Sequence, residues 1–277
     1  MTTDYQKQYI ELLKKVLTFS LWPEPGIPIE KGTHRTSRLR SLLISAVSKT
    51  LASFGLQLVR ISRGPAESRT EGRIWPACAD TMVGNKRLDN LEQCIETLLR
   101  ENIQGDFIET GVWRGGTSIF MRALLAAHDV RNRKVYVADS FQGLPPPDED
   151  SWPEDKGDVH HTVPLLAVSE EEVKNNFRKY GLLDDQVVFL KGWFKDTLPT
   201  APIEKLALIR LDGDMYGSTM EALMALYPKL SRGGFCVVDD YALDGCKKAV
   251  EDYRKQHAIT AQIEKIDWTG AYWRKEE

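Results

Sequence analysis

Residues 106–116 read DFIETGVWRGG, a short apolar run that closes on an acid and a threonine and opens into a glycine-rich turn. A candidate helix at 117–127 follows, so the unit reads as strand, tight turn and helix. The same alternation recurs along the chain. Candidate strands lie at 106–112, 134–141, 186–194, 206–214 and 233–241, and candidate helices at 89–101, 117–127, 169–180, 216–230 and 245–257. Short apolar strands separated by helices of ten or more residues predict a parallel sheet with helices on both faces. The alternation stops at the end of the chain, where QIEKIDW, then Thr269-Gly270, then AYWRK predicts an antiparallel hairpin.

Upstream of residue 76 the pattern differs. Apolar residues at Tyr5, Tyr9, Leu12, Leu13, Val16 and Leu17 predict an amphipathic helix over 4–17, followed by a Pro-rich break at 22–28. A second amphipathic helix is expected from about Thr36 to Phe54, with Arg35, Arg38, Arg40 and Lys49 along it. Residues 62–73, SRGPAESRTEGR, read as a mobile linker or lid edge. The segment 1–75 is therefore read as a helical cap that favours self-association.

The 277 residues carry 37 Lys and Arg against 40 Asp and Glu, a net charge of −3. That balance argues against nucleic acid as a partner, because phosphate binding favours a basic surplus. No apolar run reaches the roughly 18 residues needed to span a bilayer. The charged start MTTDYQKQYIELLKKVL does not read as a secretory signal, so a cytoplasmic protein is expected. Cys78, Cys94, Cys236 and Cys246 show no CxxC spacing and suggest neither a zinc site nor a disulfide framework.

In an open parallel sheet, ligands bind at the carboxyl ends of the strands, so the strand ends carry the functional signal. Four of the five predicted strands finish in acids: Glu109-Thr110-Gly111, Asp139-Ser140-Phe141, Asp212-Gly213-Asp214 and Asp239-Asp240-Tyr241. The turn at Gly111, Gly115 and Gly116 lacks both GxGxxG and a following GKS or GKT. With Glu109 ahead of the turn and Asp139 placed to accept from ribose hydroxyls, the pattern suits a cationic nucleoside, and S-adenosylmethionine fits. Asp212, Asp239 and Asp240 would sit on neighbouring strands. Carboxylates so close repel one another unless a cation lies among them, and oxygen-only donors select magnesium, manganese or calcium. Asp214 could equally cap the following helix.

The runs ETGVWRGG (109–116), VADSFQG (137–143), RKYGLLDDQVVFLKGWFKDTLP (178–199), RLDGDMYGSTM (210–220) and GGFCVVDDY (233–241) resemble the macrocin O-methyltransferase family over roughly residues 76–277. The resemblance implies a class I methyltransferase fold, Rossmann-like, whose mostly parallel seven-stranded sheet ends in the hairpin. It implies Mg²⁺-dependent methyl transfer from S-adenosylmethionine to a sugar hydroxyl of an antibiotic or similar small molecule. By position it places Mg²⁺ on Asp212, Asp239 and Asp240, with Asp214 as general base. It places the methyl donor among Thr81, Met82, Glu109, Thr110, Gly111, Val112, Trp113, Asp139, Ser140, Phe141, Gln142, Gly143, Trp193 and Phe194. Residues 30–72 and the acidic loop PPPDEDSWPEDKGDVHHTVP (145–164) depart from the family pattern. That loop is readable as a solvated charge run or as a substrate lid, and its His160 and His161 as alternative bases. Two rival activities are methylation of a catechol-like phenol and NAD-dependent dehydrogenation, the second leaving the later acids unexplained.

Overall fold

The computed structural model describes residues 3–23, 27–29, 38–60 and 66–276. Expectations at Glu24-Pro25-Gly26, Arg35, Thr36, residues 62–65 and the Arg38 and Arg40 side chains lie outside the described residues.

A seven-stranded sheet forms from β1 (Asp106–Thr110), β2 (Val135–Asp139), β3 (Val187–Lys191), β4 (Leu206–Leu211), β5 (Leu230–Val238), β6 (Glu264–Lys265) and β7 (Ala271–Arg274). Their order is β3-β2-β1-β4-β5-β7-β6. The first five are parallel, and β7 runs antiparallel to both β5 and β6. The parallel strands are shorter at their carboxyl ends than the apolar patterns suggested. Asp212 and Asp239 therefore fall just past β4 and β5, while Asp139 closes β2.

Alternation along each strand divides the interior in two. Phe107, Val135, Val137, Leu208, Phe235 and Val237 face one layer, packed under α1 (Asp4–Leu17), α4 (Asn85–Arg100), α5 (Gly116–Ala127) and α6 (Glu170–Lys179). Ile108, Tyr136, Ile209, Leu211, Cys236 and Val238 face the other, under α8 (Tyr216–Leu226) and α9 (Asp244–Gln256). Burial pushes the Cys236 thiol up, as expected for a small core residue.

The N-terminal part is only partly an appendage. Thr3 and Gln6 form a capping box on α1, whose Ile10, Leu13 and Leu17 enter the core against α5. By contrast, Leu42, Leu43 and Val47 on α2 (Arg38–Ser53) are exposed. Residues 68–73 differ from the linker reading: α3 (Ala66–Thr70) leads into Gly72, packed on Gly84, and Arg69 donates to the Thr18 carbonyl at 3.0 Å. Among the described residues no helix is long and apolar enough to cross a membrane.

Strand order reverses between β1 and β4, each of which carries its next connection away in the opposite direction. The crevice at this switch point is where an open α/β sheet receives ligands, and it brings together the glycine turn after β1 and the acids after β4 and β5.

Candidate active site

A cavity of about 370 Å³ opens over the carboxyl ends of β1, β2 and β4. Of the residues singled out in the sequence, Met82, Gly111, Trp113, Asp139, Ser140, Gly143, Trp193, Phe194, Asp212 and Asp214 line it. Thr81, Glu109, Thr110, Val112, Phe141, Gln142, Asp239 and Asp240 do not line it.

Gly111 sits at φ +83°, and a Cβ there would collide with the Asp212 carbonyl oxygen. Only glycine lets the β1 turn and the β4 turn approach this closely. Their backbones are joined as well, with the Asp212 N–H donating to the Thr110 carbonyl at 2.9 Å. Asp139 braces the turns after β1 and β2: one carboxylate oxygen accepts from the Val112 N–H at 2.8 Å and the other from the Phe141 N–H at 2.7 Å. Burial raises its pKa while these N–H groups hold it down. Ser140 donates to the Gly143 carbonyl at 2.6 Å and fixes the turn after β2. Phe141 turns inward onto Phe189, and Gln142 is exposed. On the near side, the Thr81 hydroxyl accepts from the Val83 N–H at 3.2 Å, and Asp80 accepts from the Gly116 N–H, so the 80–83 segment leans on the glycine turn.

Glu109 is 0% exposed and does not reach the cavity. Its carboxyl accepts from Thr117, Ser118 and Arg210. Burial drives its pKa up to about 7 against the pull of the Arg210 guanidinium. Glu109 thus holds the glycine turn to the start of α5 and to β4.

The acids after β4 and β5 converge. Carboxylate oxygens of Asp212, Asp214 and Asp240 lie within 4.8 Å of one another. Asp214 adopts φ +54° and donates its N–H to Asp240 at 3.2 Å. All three are held above the ordinary carboxylate range, first by burial and then by neighbouring carboxylates: Asp239 acts on Asp212, Asp212 on Asp214, which reaches about 7, and Asp214 on Asp240. Asp239 stands one step back: one oxygen accepts from Arg210 and the other from Arg87, which also pairs with Asp267 at 3.1 Å. Arg210 reaches Asp212 too, at 2.8 Å.

Sequence reasoning missed these two arginines. Arg210 left a readable trace, a cation within the apolar strand LALIRL, where a buried charge demands partners. Arg87 left none, since it lies on an ordinary amphipathic helix 152 residues from Asp239. His160, weighed as an alternative base, pairs its Nδ1 with Asp158 at 2.6 Å. Burial works to lower its pKa, but Asp158 and the charge of Asp214 outweigh this and raise it, favouring the protonated ring.

Residues 6–275 match the family model for macrocin-O-methyltransferase (TylF). The chain belongs to this family. The match extends to residue 6, so the segment 30–72, expected to depart from the family pattern, lies inside it. Two relatives are each 48% identical to this family member. One is the 8-demethyl-8-(2,3-dimethoxy-alpha-L-rhamnosyl)-tetracenomycin-C 4'-O-methyltransferase of Streptomyces olivaceus, covering 99% of this chain and 95% of its own. The other is the demethyldecarbamoylnovobiocin O-methyltransferase of Streptomyces niveus, covering 96% and 93%. The solved structure of the O-methyltransferase NovP superposes with a TM-score of 0.82 at 46% identity, over 98% of this chain and all of that one. A calicheamicin methyltransferase, at 19% identity and TM-score 0.56, shares the fold. This macrocin-O-methyltransferase family member is an O-methyltransferase with the class I sheet, and the dehydrogenase reading falls.

Proposed function

We propose that this enzyme transfers a methyl group from S-adenosylmethionine to a sugar hydroxyl of a glycosylated natural product, with Mg²⁺ held at Asp212, Asp239 and Asp240. The observation that carries this reading is the meeting of the carboxylates of Asp212, Asp214 and Asp240, with Asp239 one step behind, where Asp212 and Asp214 share the cavity wall with Gly111 and Asp139.

The donor set fits a hard divalent cation. It is all oxygen, burial and neighbouring carboxylates raise the pKa of each member of the converging trio, and the Arg87 and Arg210 contacts leave Asp239 with further lone pairs. When bound, the ion would stabilise negative charge developing on the acceptor oxygen. Asp214 would take the hydroxyl proton, since a carboxylate pushed up to about 7 is a far better base near neutrality than an ordinary one. Asp139 would hold the ribose of the donor on lone pairs left by Val112 and Phe141, and Gly111 allows the close approach. Trp193 and Phe194 would shield the reacting groups from water. Positioning and fixed charge then supply most of the acceleration.

Three acceptors of relatives make a direct assay: demethyldecarbamoylnovobiocin, mycinamicin III and the dimethoxyrhamnosyl tetracenomycin. With S-adenosylmethionine and Mg²⁺, a gain of one methyl on the sugar of any of them, read by mass, supports the reading. Methylation of a catechol alone would overturn the sugar assignment. That phenolic reading draws on Trp113, Trp152, Trp193 and Phe194 around the cavity.

Metal removal gives a second expected result. Excess EDTA should abolish transfer and added Mg²⁺ should restore it. Because Asp212 and Asp240 hold protons more tightly than ordinary carboxylates, cation and proton compete for their oxygens. Binding should release protons, and apparent Mg²⁺ affinity should rise as pH climbs through the raised range in which Asp212 and Asp240 lose theirs. Calorimetry in buffers of different ionisation enthalpy reads both. Full activity in EDTA, or affinity independent of pH, would count against the cation site.

A further inference from the structure

The acidic loop after β2 contains one acid unlike the others. Asp155 is 5% exposed, within a loop whose other acids are half-buried or exposed. Its two carboxylate oxygens accept from the backbone N–H groups of Tyr216 at 2.7 Å and Gly217 at 2.9 Å, the first two residues of α8.

The first N–H groups of a helix have no partner within it, and a side chain at the residue before the helix usually supplies one. Here that residue is Met215, which supplies none. Asp155 supplies both from 61 residues away, adding a negative charge at the positive end of the helix. The fit is close. The Trp152 ring lies 5.6 Å from that of Tyr216, and a Cβ on Gly217 would fall 2.5 Å from Trp152 and 2.9 Å from Asp155. Gly217 admits the loop where any larger residue would displace it.

The loop is fastened at a second point. The Trp113 indole N–H, from the glycine turn, donates to the Leu165 carbonyl at 2.9 Å. Ahead of both points in the chain, Leu144, Pro145, Pro146, Asp148 and Trp152 form one wall of the cavity. The turn that Asp155 grips starts two residues after Asp214, whose left-handed backbone leaves it dependent on its surroundings for its direction.

We infer that Asp155 is a positioning residue: by capping α8 from the loop, it joins residues 144–166 and the Asp214 turn into one unit, so that covering the acceptor and aiming the base happen together. The catalytic half of this inference rests on the reading of Asp214 as the base; the mechanical half stands on the geometry alone.

The test uses the full chain and the variants Asp155→Ala and Asp155→Asn. Hydrogen exchange read by mass spectrometry follows peptides covering 144–166 and 212–220, and turnover is measured on whichever of the three antibiotic acceptors the wild type methylates. In Asp155→Ala, exchange should rise by about tenfold or more in both segments together, as expected when a local closed state loses its clasp. Turnover should fall by about tenfold with the KM for S-adenosylmethionine changed less than about threefold, the signature of a transition-state defect. Asp155→Asn keeps one acceptor oxygen and should lie between. Loosening of only one segment overturns the inference. So does joint loosening with unchanged turnover, which would make Asp155 a helix cap and nothing more. A wild type inactive on all three acceptors would defeat the proposed function, while the exchange measurement would still decide the clasp.

Discussion

Asp212→Asn is expected to lower the rate of methyl transfer by at least about 100-fold, roughly 2.7 kcal/mol of transition-state stabilisation, with the fold intact. Asp212 lines the cavity and is the member of the acid cluster nearest the glycine turn, its backbone in contact with Gly111. Replacing one carboxylate oxygen by an amide removes a full negative charge from the cation site and leaves a donor where an acceptor is needed. The remaining amide oxygen can still accept from Arg210, which lies 2.8 Å from Asp212, and Arg210 keeps Glu109 and Asp239 as partners. Stability should therefore change little while Mg²⁺ affinity and turnover fall. Steady-state rates with a Mg²⁺ titration, alongside thermal melting, separate the two effects. A near-native rate would remove Asp212 from the machinery. A companion measurement concerns Asp214→Asn, whose pH–rate profile should lose its acidic limb; if the limb survives at little loss of rate, another group is the base.

Arg210→Met should be the most destabilising change in the site. Arg210 is 2% exposed and faces Glu109, Asp212 and Asp239 at once. Removing one partner of a buried ion pair typically costs about 3–5 kcal/mol, because the charges left behind cannot recover their hydration. At roughly 2–4 °C per kcal/mol for a chain of this size, the melting temperature should drop by roughly 6–20 °C. The loss should grow with pH. Glu109 already binds its proton up to about 7, above the ordinary 4.5, so between those values the folded state holds more protons than the unfolded state and stability declines as pH rises. Without Arg210 that pKa climbs further, and the decline extends to higher pH. Melting curves at several pH values test this. A variant as stable as the wild type at alkaline pH would show that the buried acids find other compensation.

Much of the architecture is readable in the sequence because it follows local rules. Phe107 and Ile108 face opposite layers, Cys236 and Val238 the same one, with the two-residue period of a strand, and Cys246, Ala249, Val250 and Tyr253 of α9 repeat at helical spacing. The acids at the strand ends are legible for the same reason, once a parallel sheet places those ends on one edge. The roles within the group are not. Glu109 reads as part of the donor site but is sealed beneath it by Thr117, Ser118 and Arg210. The linker expected over 62–73 packs, at 68–73, against Gly84 and Arg87. In the acidic loop, composition alone does not distinguish the buried Asp155 from its solvated neighbours.

The sequence by itself determined the alternation of strands and helices, the closing hairpin, the family and the acids at one edge of the sheet, since each depends on residue types at short, regular spacing. Only the tertiary structure decided which acids face one another, which are neutralised by Arg87 and Arg210, and which one clasps the loop to α8. Most of those choices depend on partners 26 to 152 residues apart. Whether a buried charge is matched depends on distances set by the packed sheet, and spacing along the chain does not record them.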